Sequence, residues 1–393
     1  MATQHNQSYP GVSRLSQLWL AQIRDHWMYR EAEKRDLRLD FLRGLCIFIM
    51  VVDHIGGYSP LRILTGGNLF FVSAAEGFVF ISGLLLGTIY RRIIEREGFR
   101  AALLKALRRA RTLYILTFVL TFMLAYVTWW IGAPWTPAEE IANPLRFALD
   151  VLTVRDSYLF TDILMLYTLL IIGAPVALWL LERGWTWALL LGSWALWLLY
   201  QVSPYDASQP LPTIHSFHPA AWQIFFVHAM ALGYHRQRVA RWFHRVRHGP
   251  LLAWLGLFFV LLVAVYYTQG ALLRPLIGGD VAAFMQATFL KNPVRVGRLV
   301  AALIVFPLAY LTVTYCWLPL RRALGWLLLP LGQNSLYSYT MHLPIIVLWV
   351  MLFAYLPGTT AAQQMINGAI QLAAVLALWV MIRGRFLFGI VPR

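Results

Sequence analysis

The sequence predicts an all-α fold: a polytopic integral membrane bundle of about ten transmembrane helices, with both termini cytoplasmic. Three observations carry that expectation. Hydrophobic residues make up 60% of the 393 positions and charged residues only 13%, with a mean hydropathy of +0.62, a balance foreign to a water-soluble core. Apolar runs long enough to cross a bilayer recur along the chain. The basic residues concentrate on alternate connections between those runs.

The apolar runs fall near 40–58, 69–90, 112–131, 159–181, 185–200, 217–234, 251–268, 299–317, 334–353 and 364–382. The fifth is short, and the sixth carries His228 inside it. A polar segment, 1–37, precedes the first run, so that run does not read as a cleavable signal. Residues 1–37 are expected to be a cytosolic extension, with an amphipathic surface helix around 14–34. The transmembrane domain should occupy 38–386 and a cytosolic tail 387–393.

Orientation follows from the charges. With a cytoplasmic N-terminus, inner segments hold 26 of the 33 Lys and Arg residues and outer loops hold seven, which is the positive-inside pattern. The same residues explain the net charge of +16. They flank spans and form no recognition module, so nucleic acid is not an expected partner; the bilayer is. Cys46 and Cys316 lie in apolar stretches without metal or disulfide spacing. No zinc spacing, Gly-rich phosphate loop or nucleophile elbow occurs, so no metal is expected.

The most informative segment is RLDFLRGLCIFIMVVDHIGG, residues 38–57, which places Arg43 and His54 in one apolar run. Eleven residues at about 100° each bring the two side chains onto one helix face, roughly 16 Å apart along the axis. Ionisable groups at membrane depth are costly and mark functional sites by default. The plainer alternative is an arginine snorkelling to a headgroup and a structural histidine. Asp53 adjoins His54 but points about 100° away. Glu76 lies about seven residues into the second run, and Asp162 opens the fourth. His54, Glu76 and Asp162 are therefore expected at similar depth near the outer end. A carboxylate holding one ring nitrogen would raise the basicity of the other, which suits a general base. Otherwise Glu76 and Asp162 neutralise arginines or cap helices.

Arg108, Arg109 and Arg111 precede the third run on the inner side. They suit either a polyphosphate or a topological role beside anionic lipid. Trp129, Trp130 and Trp135 read as interfacial belt residues, with sugar stacking as the alternative. His215 and His218 read as solvated loop histidines. Gly83 and Gly87 predict a close helix contact, and Asn334 a helix cap at the start of the ninth run. His342, eight residues farther on, is a second histidine that can face the same cavity.

Arg43 and His54, ten residues apart in the intervening count, resemble the signature of the acyltransferase-3 superfamily of membrane O-acyltransferases. SAAEGFVFISGLLLG (73–87), TDILMLYTLL (161–170), HPAAWQIFFVHAMALG (218–233) and LGQNSLYSYTMH (331–342) resemble, in order, the branch containing OpgC, whose members succinylate periplasmic glucans. The resemblance implies an enzyme of the inner (plasma) membrane. Its donor would be cytoplasmic acyl-CoA, succinyl-CoA or acetyl-CoA, and its acceptor a glucan or other envelope glycan outside. It further implies that Arg43, Arg108, Arg109 and Arg111 hold the CoA phosphates while His54 acts as base. The competing class is a proton-coupled transporter or flippase of an envelope sugar or lipid, although no internal match relates 40–200 to 217–382. A third class is a non-catalytic partner in envelope assembly.

Overall fold

The computed structural model describes residues 26–30, 35–133, 136, 141–158, 160–202, 217–243, 245–352 and 360–392. The expected amphipathic stretch 14–34 and His215 thus lie largely or wholly outside the described residues. Among those described, all regular structure is helical. The long helices are α1 (Leu37–Ile55), α2 (Ala74–Glu97), α3 (Phe99–Trp130), α4 (Asp162–Glu182), α5 (Thr186–Val202), α6 (Pro219–Tyr234), α7 (His248–Tyr267), α8 (Val296–Tyr315), α9 (Trp317–Gln333), α10 (Ser335–Leu352) and α11 (Ala361–Arg383). Each of the ten apolar runs holds one of them. Among the described residues, six helices are long and apolar enough to cross a membrane: α2, α3, α4, α7, α8 and α11. α1 falls outside that set because Arg38, Asp40, Arg43 and Asp53 lie within it, and α5 and α6 because they have 17 and 16 residues.

Two features depart from the expected boundaries. α3 begins at Phe99, well before the apolar run, so its arginines are helical. Ala, Leu, Lys and Arg in that stretch are all strong helix formers, and α2 and α3 meet at Gly98, whose φ of +83° few side chains tolerate. The second departure is α9, which occupies what reads as a basic connection. Arg321 and Arg322 interrupt its hydropathy, yet they lie on its exposed side while Leu327, Leu328, Leu331 and Gly332 are buried.

α1 is the hub of the bundle, packed against α2, α8, α9, α10 and α11. Its buried set, including Phe41, Ile47, Val51 and Val52, spreads around the helix instead of forming one stripe. The close contacts are made by glycines. A Cβ on Gly44 would collide with the Leu328 carbonyl, and one on Gly332 with the Asp40 carbonyl. α2 and α6 meet likewise: Gly83 faces the Phe226 carbonyl and Gly87 the Met230 carbonyl, as the glycine spacing predicts. α7 buries only Leu255 and forms the rim.

Helix ends sort into two sets. At one end Arg91 Nη1 donates to the Tyr234 carbonyl (2.6 Å), Arg38 Nη1 to Thr314 Oγ1 (3.1 Å), and Asp36 pairs with Arg236 (3.6 Å). At the other, Thr65 Oγ1 donates to Asp53 (2.6 Å), Gln371 Nε2 to the Gly56 carbonyl (2.6 Å) and Arg298 Nε to Glu76 (2.6 Å). The first end is basic.

Gly332→Ala should therefore lower the melting temperature in detergent by the equivalent of about 1–3 kcal/mol, the usual cost of overpacking. Gly173→Ala, with open space around its Cβ position, should leave it unchanged.

Candidate active site

The site is built along α1. Its N-cap is Asp36, whose side chain accepts from the Arg38 N–H, and its C-cap is Gly56. This frame carries Arg43 toward the basic end and His54 to the opposite end, roughly 16 Å away. Among the described residues Asp40 makes no ion pair with Arg43; it pairs with Arg35 at 2.5 Å. Arg43 instead donates through Nη2 to Ser335 Oγ at the start of α10, and its guanidinium carbon lies 5.6 Å from the centre of the Phe78 ring. Among the described residues nothing bonds the buried Arg43 Nε, an arrangement that calls for an explanation.

His54 meets α10 at its other end. Its Nδ1 lies 3.1 Å from His342 Nε2, the two rings meeting edge to edge with centres 5.3 Å apart and planes 27° from parallel. His342 is 1% exposed, and its Nδ1 contacts the Tyr339 carbonyl one turn back. Phe160 covers one face of His54, with ring centres 4.0 Å apart and planes 10° from parallel. That residue sits at φ +49°, unusual for a bulky side chain. Its carbonyl accepts a 2.5 Å bond from the Tyr339 hydroxyl. Tyr339 thus steadies both neighbours of His54. Among the described residues nothing bonds His54 Nε2. Between His54 and Arg43 the interior is lined by Phe78, Tyr339 and Tyr167, and the Tyr167 hydroxyl donates to Ser82 (3.2 Å).

The expected pairing of a carboxylate with His54 is not the arrangement found. Glu76 accepts from the Ser73 backbone N–H (2.8 Å) and from Arg298 Nε (2.6 Å). It is wholly buried, and Arg298 is 2% exposed. The reason is local. A glutamate three residues after an N-cap serine folds back onto the helix start, and Arg298 opens from α8 beside it. Arg298 also donates to the carbonyls of Phe70 (3.2 Å) and Phe289 (3.3 Å), tying the connection before α2 to α8. Removing one partner of such a pair costs roughly 3–5 kcal/mol. Asp162 begins α4 two residues beyond Phe160, and its Oδ1 accepts from the Ile163 N–H (2.9 Å). It borders the site, within electrostatic reach of Tyr339 and Lys291. Lys291, in the connection before α8, donates to Asn68 Oδ1 (2.5 Å). Burial draws its ammonium below the ordinary lysine value, against the pull of Glu76.

The three arginines of α3 do not share one face. Ala102, Ala106, Ala110 and Leu113 form the buried stripe. At about 100° per residue, Arg108 points opposite to it, Arg111 well away from it, and Arg109 flanks it. All three are exposed. Arg109 is within electrostatic reach of both Arg43 and Tyr167, so of the three it is the one that stands beside Arg43.

Other candidates lie elsewhere. His228 Nδ1 contacts the Ile224 carbonyl of its own helix (2.9 Å), with Trp194 edge-on. His218 caps α6 by accepting from the Ala220 N–H (3.2 Å) and stacks on Tyr200 (4.4 Å). Trp130 is 83% exposed at the end of α3, as a belt residue should be; Trp135 is outside the described residues. Asn334 does not cap the helix that follows. Its side chain donates to the Pro330 carbonyl (3.0 Å) and closes α9 instead. Phe160, Tyr339, Ser335 and Arg298 carry no sequence signal of their own, since their roles arise from contacts between distant segments. Among the described residues no cluster of His, Cys, Asp and Glu could hold a metal ion.

No curated protein and no solved structure matches the chain. The family described as OpgC protein matches residues 35–387, which is nearly the whole helical bundle, and the chain belongs to that family.

Proposed function

We propose that this protein is a membrane-bound O-acyltransferase of the inner membrane. It moves a succinyl or acetyl group from cytoplasmic acyl-CoA to a hydroxyl of an extracytoplasmic glucan or related envelope glycan. Family membership supports the coarse part of this reading, a membrane enzyme that modifies glucans. One observation supports the rest. Arg43 and His54 stand at the two ends of one face of α1: Arg43 Nε is buried with no hydrogen-bond partner among the described residues, and His54, held at Nδ1 by His342, has no described partner at Nε2. An unpaired guanidinium N–H suits a phosphate oxygen, and an unpaired imidazole nitrogen suits a proton.

In this reading the chain crosses the membrane ten times with both termini inside, and the basic end faces the cytoplasm. Arg43 and Arg109 hold the CoA phosphates, while Arg108 and Arg111, turned outward, meet anionic lipid headgroups. The pantetheine arm lies along the interior past Phe78 and Tyr339, bringing the thioester to His54. The acceptor hydroxyl gives its proton to His54 Nε2 as its oxygen bonds to the thioester carbonyl carbon. The tetrahedral intermediate then collapses with cleavage of the C–S bond. The proton passes from the imidazolium to the departing thiolate, so the products are a glycan ester and CoA thiol, with His54 returned to its starting state. Glu76 serves this chemistry indirectly, by fixing the start of α2; Asp162 borders the acceptor side.

His54→Gln should lower kcat by roughly 10²-fold or more, with the melting temperature and the KM for acyl-CoA near wild type; transfer at the wild-type rate would remove His54 as the base. Arg109→Ala should raise the KM for acyl-CoA about 10- to 100-fold, one charge-assisted contact being worth roughly 1.5–3 kcal/mol. Arg108→Ala should change it by less than about threefold, as exposed charges do. A reporter fused after Arg393 should be cytoplasmic, and one inserted within 132–158 should be extracytoplasmic. The reverse result would separate the arginines from the donor. No binding of acyl-CoA to purified protein would return the transporter reading.

A further inference from the structure

We infer that His342 is a positioning residue that holds His54 in the tautomer whose Nε2 accepts the proton, so that the two histidines and the Tyr339 carbonyl form one directional chain. The inference rests on the reading of His54 as the base, and its geometry comes from one turn of α10, Tyr339 to His342, packed on His54 and Phe160.

A backbone carbonyl can only accept. His342 Nδ1 lies against the Tyr339 carbonyl, so that nitrogen carries the hydrogen. The ring is 1% exposed, and a lone buried charge is costly. A neutral imidazole with hydrogen on Nδ1 has its lone pair on Nε2. That lone pair faces His54 Nδ1 at 3.1 Å. Two lone pairs cannot face one another at that distance, so His54 Nδ1 carries the second hydrogen and donates it. His54 Nε2 is left with its lone pair, and no described residue bonds it. The direction of the whole chain is therefore set by one carbonyl, a role that a carboxylate plays in other histidine bases.

The same turn of α10 fixes orientation as well as tautomer. The Tyr339 hydroxyl holds the Phe160 carbonyl (2.5 Å), and the Phe160 ring lies flat on His54 (4.0 Å). The imidazole is thus clamped over one face while His342 holds its Nδ1 edge. When Nε2 takes a proton, the bond to His342 becomes charge-assisted and strengthens as positive charge develops. His342 touches neither substrate in this scheme and acts only through His54.

The test uses the purified full-length protein and three forms: wild type, His342→Gln and His342→Phe. The glutamine amide oxygen can stand near the position of His342 Nε2 and accept from His54 Nδ1; phenylalanine cannot. His342→Phe should lower kcat by roughly 10²-fold with KM for acyl-CoA unchanged, while His342→Gln should stay within about tenfold of wild type. A merely structural role would depress both variants and their melting temperatures together, and that result would overturn the proposal. So would a wild-type kcat in His342→Phe. Nitrogen-15 spectra of histidine-labelled protein, with His54→Gln used to assign the His54 signals, give a readout that needs no turnover. Wild type should show hydrogen on His54 Nδ1, and His342→Phe should lose that preference; hydrogen on Nε2 in wild type would overturn the proposal. Absence of acyl transfer by wild type would sink the functional reading alone, because the spectra still decide the tautomer.

Discussion

The buried ion pair between Glu76 and Arg298 is the constraint around which the acid-bearing end of the bundle is arranged. Hydrocarbon offers no hydrogen bond, so each polar group placed in it must be answered by protein. Glu76 is answered three ways at once: by Arg298, by the start of its own helix and by the electrostatic pull of Lys291. Arg298 in turn binds two carbonyls from separate connections. The pair thereby ties α2 to α8 and closes the segment from Phe70 to Ser73. With α2 fixed at that end, Gly83 and Gly87 meet α6, and Phe78 faces the interior beside Arg43 and Tyr339.

Arg43 and His54 differ from Glu76 in this respect. Both sit in the same medium, and both have one partner from α10, Ser335 and His342 respectively. Neither is fully answered. Arg43 Nε is one of several buried polar atoms that the described residues leave without a hydrogen bond, and nothing described bonds His54 Nε2. In the proposed reaction they are where phosphate and hydroxyl complete the set.

How much of this was legible in the sequence depends on the range of the interaction concerned. Helical spacing placed Arg43 and His54 on one face, and the same arithmetic, applied to Arg108, Arg109 and Arg111, would have separated the flanking arginine from the two that point away. The glycine step at Gly83 and Gly87 was equally local, and so readable. Glu76 stood between two readings, a carboxylate beside His54 and an acid that neutralises an arginine or caps a helix, and a local signal favours the second: Ser73 three residues before it makes a capping box, which outweighs depth as a guide to where that carboxylate goes. α9 was hidden because hydropathy averages over both faces, and two arginines on its exposed side cancel the leucines on the other. The partner of His54 was legible only as a second histidine able to face the same cavity. It lies 288 positions away, and only the packing of α10 on α1 brings it there.

That packing also explains why a histidine, and not an acid, is suited to orient the base at this depth. An ionised carboxylate beside His54 would carry a full charge into the bundle and would need a cation of its own, as Glu76 needs Arg298. A second imidazole adds no net charge. It passes the fixed polarity of a backbone carbonyl from Tyr339 across its ring to His54, at the cost of one buried aromatic side chain that also packs. The acids at this end are then free for other work: Asp53 holds Thr65, Glu76 holds Arg298, and Asp162 begins α4 beside Phe160. Within the proposed chemistry the charge that appears on His54 during transfer is transient, and it forms in a site whose resting state is neutral. A neutral resting site keeps the interior low in dielectric, so the developing interaction with His342 is strong when it is needed.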